Sequence, residues 1–145
     1  MYRFNLEALL NHRLYQEEIL QRELADLKKR LAAEKDKLRA LKKKMREYQQ
    51  QLRQKQKEGR RASEIKLFFD FVEHISEEIR AQRQKVAGAE RNLHGKREEL
   101  IDVMKKRKAL DKLKAKGWQA YQQRLLKKER DFMDEVASRQ FKFEP

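Results

Sequence analysis

Apolar residues recur through the first half of the chain at alternating steps of three and four: Leu20, Leu24, Leu27, Leu31, Leu38, Leu41, Met45, Tyr48 and Leu52. That spacing keeps one stripe of a long helix turned toward a partner helix. Only Glu34 interrupts it. On a lone helix the stripe would lie in water, forfeiting about 1.5 to 3 kcal/mol for each leucine, so the pattern demands a partner. Leu6, Leu9, Leu10 and Leu14 lead into the stripe. The helix is predicted to start near Asn5, a suitable N-cap with Glu7 in the first turn. Good helix formers continue to about Lys57, and Gly59 ends the run.

A second start signal comes in Ser63 with Glu64. Ile65, Leu67, Phe68, Phe69, Phe71, Val72 and Ile75 then form the most apolar stretch of the chain, too dense for one face of a two-helix seam. It predicts a short helical, aromatic-rich cap near residues 62–75, either a separate helix or one continuous with the second arm. A second stripe runs from Val72 through Ile75, Ile79, Gln82, Val86, Ala89, Leu93, Lys96, Leu100, Val103, Arg107 and Leu110. It is the weaker of the two, because three of its positions are polar and Gly88, Gly95 and Gly117 each cost about 1 kcal/mol relative to alanine inside a helix. Leu113, Tyr121, Leu125, Phe132 and Val136 extend it with a looser period.

The predicted fold is all-α: a long antiparallel two-helix coiled coil, or helical hairpin, forming one domain over 1–145. Arm one covers about 5–57, the reversal and cap about 58–75, arm two about 76–139, and a frayed tail 140–145. The polar seam positions suggest a register. A buried unpaired carboxylate is costly, so Glu34 calls for a cation on arm two, and Arg107 supplies one while leaving Leu41 against Leu100 and Leu38 against Val103. Residue numbers in facing pairs then add to about 141. This register centres the reversal near Asp70 rather than at Gly59, sets Leu6 beside Glu135 and brings both termini to one tip.

Composition agrees with long helices rather than a round core. Of 145 residues, 43% are charged, with one proline and four glycines. Cysteine is absent, which excludes disulfides, thiolate metal sites and a cysteine nucleophile. Residues 1–10 lack the apolar run of a signal peptide, and no stretch approaches the ~18 apolar residues of a membrane span. A cytoplasmic protein is expected, with membrane association only through a partner. The net charge of +14 is uneven: residues 28–61 carry 15 positive and 4 negative charges and residues 80–130 carry 17 and 6, whereas 1–27, 62–79 and 131–145 are mildly acidic. Folded arm on arm, the shaft is basic and suited to acidic partners.

No catalytic constellation emerges. His12, His74 and His94 are scattered without the spacing of a helical metal site, and phosphate loops and nucleophile elbows are missing. No enzyme activity, metal or cofactor is expected. Lys42 to Lys44 and Lys105 to Lys108 could grip phosphates, but the basic arms hold few aromatic groups for stacking, so a solvated face is the favoured reading and no specific nucleic acid is expected. Trp118 and Tyr121 are the exception; their alternative reading is packing against the first helix.

Two stretches carry a family resemblance. Phe4-Asn5-Leu6-Glu7-Ala8-Leu9-Leu10 with Arg13, Tyr15 and Glu17 resembles the opening of the flagellar FliJ family, and Arg107 to Lys114, Tyr121 and the run from Lys128 to Arg139 are similar to its C-terminal pattern. The resemblance implies an antiparallel coiled coil like the central stalk of rotary ATPases. It implies a stalk or adaptor with paired termini in the hexameric flagellar export ATPase, at the cytoplasmic face of the cell membrane. The other implied partners are the cytoplasmic domain of the export gate and flagellar export chaperones of the type III secretion apparatus. The residues it points to for partner binding are Leu9, Arg13, Glu129, Asp134, Glu135 and Arg139. Two other readings stand beside it: a basic coiled coil that binds nucleic acid, and a structural spacer.

Overall fold

Fifty-one residues without a glycine or proline, Glu7–Lys57, form helix α1, and Ala62–Phe143 forms the 82-residue helix α2. The structure, a computed structural model, describes residues 1–143, with side chains through residue 140. Two long helices pack against each other, and the fold is all-α. Of the expected frayed tail, residues 140–143 belong to α2, and 144–145 lie outside the described residues.

Gly59 stops α1. Its φ of 67° is left-handed, a conformation glycine adopts without steric penalty. The Arg60 amide donates to the Lys55 carbonyl at 3.2 Å and the Gly59 amide to the Gln56 carbonyl at 3.3 Å, the paired bonds of a Schellman cap. The chain needs only the next two residues before α2 begins, with the Arg61 carbonyl accepting from Ile65. Arg61 thus occupies the capping position expected of Ser63. Likewise α1 starts at Glu7, two residues past Asn5.

The hairpin divides into two compact units. The first comprises residues 19–100 and contains the reversal. Its core is Ile75, Ile79, Val86, Ala89 and Leu93 of α2, all buried, against the half-buried stripe from Leu20 to Leu52 of α1. The arm-two stripe, weaker by composition, is thus the better covered. Next to the turn, Tyr48 stacks on Phe71 at 5.9 Å and meets Phe68 at 6.2 Å, while the Lys55 ammonium lies 3.9 Å from the Phe68 ring centre. The aromatic segment does not fold over the end as a cap. No glycine or proline breaks the run from Ala62 to Ala87, so the segment is simply the start of α2, leaving Leu67 and Phe69 more than half exposed.

The second unit joins residues 1–18 to those from 101 onward. Leu10 and Leu110 are its buried apolar residues. Lys114 pairs with Glu7 at 3.0 Å, and Arg107 pairs with Glu17. Ahead of α1, the Tyr2 hydroxyl donates to the Lys114 carbonyl at 3.0 Å, and its ring packs 5.7 Å from both Trp118 and Tyr121.

These pairs correct the expected register. In both units the facing residue numbers add to about 120, not 141. Glu34 meets Gln82 instead of Arg107. The reversal lies at the Gly59 turn and not at Asp70. Leu6 is not beside Glu135, and the termini do not meet at one tip: Tyr2 rests at Lys114 and Trp118, while α2 continues to Phe143. No described helix is long and apolar enough to cross a membrane.

Candidate functional site

Past Tyr121, α2 has no facing segment of α1 within its unit. The remaining 122–143 stretch is about 33 Å of single helix at 1.5 Å per residue. Leu125, Leu126, Phe132 and Met133 are 43%, 55%, 64% and 68% exposed. Their spacing of seven, with Val136 four beyond Phe132, puts them on one side of the helix. An apolar stripe turned to water in this way is a candidate surface for another macromolecule.

Four of the six residues implied by resemblance lie on this overhang. Glu129, Asp134, Glu135 and Arg139 are all exposed, and Arg139 donates to Glu135 at 3.0 Å across one turn. Leu9 and Arg13 lie elsewhere, in the paired part of α1. Leu9 is 39% exposed, and Arg13 donates to Gln16 at 2.9 Å. The structure therefore divides the six into a pair on the two-helix segment and a quartet on the overhang. Register is the reason, since α1 starts at Glu7 opposite Lys114, and Tyr2 ahead of it reaches only to Tyr121.

Inside the hairpin the polar seam positions form an ordered set. Each polar member of the arm-two stripe faces a glutamate of arm one: Gln82 donates to Glu34, Lys96 pairs with Glu23 at 2.8 Å, and Arg107 pairs with Glu17. The Lys96 ammonium is held above its ordinary value by its hydrogen bond to Glu23, with further support from Glu99. The Arg107 guanidinium is likewise raised, first by Glu17 and then by Asp111, which it meets at 2.7 Å. Sequence reasoning missed Glu17 as a seam member, although it lies three residues before Leu20, in step with the stripe.

Trp118 and Tyr121 pack on Tyr2, in the segment preceding α1 rather than on the helix itself. Gly117 lies beneath Tyr2: a Cβ there would collide with the Tyr2 hydroxyl and come within 3.2 Å of the ring carbon bearing it. This glycine makes room for the chain's opening residues. Elsewhere, Lys42, Arg46, Arg80 and Arg83 surround a shallow groove floored by Met45 and Ile79, and none of the four cations has an ion-pair partner among the described residues. Of the histidines, His74 contacts Glu78 at 2.8 Å on an exposed face.

The model of one protein family, described as Flagellar FliJ protein, matches residues 2–144, nearly the whole chain. No curated protein and no solved structure matches significantly. Two packed helices joined at the Gly59 turn, together with this end-to-end match, establish that the chain belongs to the FliJ family and is a component of the flagellar export apparatus.

Proposed function

We propose that the chain is a non-enzymatic stalk or adaptor of the flagellar type III export apparatus, acting as one coiled-coil domain. The overhang of α2 seats in the hexameric export ATPase, and the basic two-helix shaft meets the cytoplasmic domain of the export gate and the export chaperones. The observation that carries the reading is the overhang itself, a single helix with an unpartnered apolar stripe and an acidic end, in a chain of a non-catalytic export family. Because the termini do not meet at one tip, the overhang replaces the paired termini as the inserted element. Glu129, Asp134, Glu135 and Arg139 then meet the ring, with Leu9 and Arg13 at the rim. Cytoplasmic placement beside the membrane at the flagellar base accords with these partners.

A basic coiled coil gripping nucleic acid is the competing reading, favoured by the four unpaired cations of the Met45 groove. One comparison separates the two: stimulation of the purified export ATPase, and binding to random duplex DNA at physiological salt. ATPase stimulation without salt-resistant DNA binding supports the stalk. The reverse result sinks it, and a spacer does neither.

A further inference from the structure

The overhang is self-complementary in charge. Arg124, Lys127, Lys128 and Arg130 make its first half positive against Glu129 alone, and Asp131, Asp134 and Glu135 make the next turn and a half purely negative. The exposed stripe runs through both halves. Two overhangs side by side in the same direction would set like charge on like. Reversed, each positive half lies on the other's negative half.

We propose that the overhang docks a second copy of this chain, the two helices pairing antiparallel about a two-fold axis. Leu125, Glu129, Phe132 and Val136 are spaced by steps of four, three and four, and an antiparallel seam sets one kind of position against the other. Leu125 then packs on Val136 of the second copy, and Phe132 on its Glu129. On one flank Leu126 meets Met133, and on the other Lys128 meets Glu135, each contact occurring twice by symmetry. Glu129 is the discordant member: symmetry brings its two copies near one another in the seam, which keeps the association weak and reversible. This pairing goes beyond the export reading and covers the face that reading seats in the ATPase, so the two associations exclude each other on one chain; it draws only on the charge order and exposure of residues 122–139.

Sedimentation equilibrium of the full chain over a range of concentrations tests the proposal. A monomer–dimer equilibrium is expected. Glu129→Leu should tighten it by about tenfold or more, as a leucine enters the seam in place of a carboxylate. Phe132→Lys should leave monomer with an unchanged helical circular dichroism signal. Because the chain has no cysteine of its own, Lys128→Cys chains mixed with Glu135→Cys chains should crosslink to each other under mild oxidation in preference to either with itself. A mass of one chain at every concentration up to about 1 mM overturns the proposal. So does a dimer indifferent to Phe132→Lys, or a Lys128→Cys chain that crosslinks with itself as readily as with Glu135→Cys.

Discussion

Arg107 grips Glu17 from 90 residues away in sequence, donating through its Nε and again through Nη2 at 3.3 Å to the second carboxylate oxygen. Asp111 holds the remaining side of the guanidinium at 2.7 Å. Glu17 is only 8% exposed, one of two buried polar residues among those described. Removing Arg107 leaves the buried Glu17 carboxylate unanswered, whereas Arg107 without Glu17 keeps Asp111, so the loss of Arg107 alone costs more than the loss of both.

The register prediction rests on that asymmetry. Arg107→Leu and Glu17→Leu should each lower stability to urea, and the double substitution should recover part of the loss. In the same scheme, a cysteine pair at 34 and 82 should crosslink within one chain, whereas a pair at 34 and 107 should not. Efficient 34 to 107 crosslinking would restore the register in which facing numbers add to about 141.

Stability should depend on alkaline pH through Lys96. Its ammonium is raised above the ordinary lysine value of 10.5, chiefly by Glu23. A group held more basic in the fold adds stability that is fully present below the ordinary value and disappears as pH climbs through the raised one. The stability difference between the native chain and Lys96→Gln should thus be constant from neutral pH to about pH 10 and shrink above 10.5. A difference that grew with alkalinity would contradict the pairing.

The glycines should respond unequally to alanine. Nothing lies within 4 Å of a Cβ at Gly95, so Gly95→Ala should raise stability by about 1 kcal/mol. At Gly117 the same helical gain is opposed by collision with Tyr2, and the net change should be smaller. Trp118, the single tryptophan, reports on the Tyr2 contact: its fluorescence should shift in Gly117→Ala and stay constant in Gly95→Ala. Gly59→Ala, forced into a left-handed conformation, should cost about 1 to 2 kcal/mol, with Gly59→Asn milder.

Charge changes on the overhang should separate function from folding. Glu129, Asp134, Glu135 and Arg139 are exposed on an unpaired helix, so single neutralising substitutions should move stability by less than ~0.5 kcal/mol. Stimulation of the export ATPase, and with it motility, should fall. If all four variants stimulate normally and swim, the proposed ring contact of the overhang is refuted.

Much of this architecture was legible from periodicity. The stripe from Leu20 to Leu52 and the one from Val72 to Leu110 named the helices and their facing sides, because burial of an apolar face is a local, repeating demand that composition alone can express. Gly59 announced the end of α1 for an equally local reason, the left-handed φ that only glycine takes cheaply. The sliding of one arm on the other was not local. Every shift by one seam step still sets apolar against apolar, so Arg107 could face Glu34 or, five seam positions earlier, Glu17. Across the seam the folded chain satisfies Glu34 with a neutral amide, Gln82, and sets its arm-two cations on Glu17 and Glu23, while the cation nearest Glu34 is Lys37 of its own helix at 3.9 Å. A carboxylate needs a hydrogen-bond donor, not specifically a charge, and the cap at Gly59 turns the chain there, placing Asp70 inside α2. Helix, seam and the end of α1 were therefore determined by residues near one another in sequence. The register, and with it the overhang that leaves Leu125 to Val136 without a partner arm, was decided only where distant side chains had to satisfy each other at once.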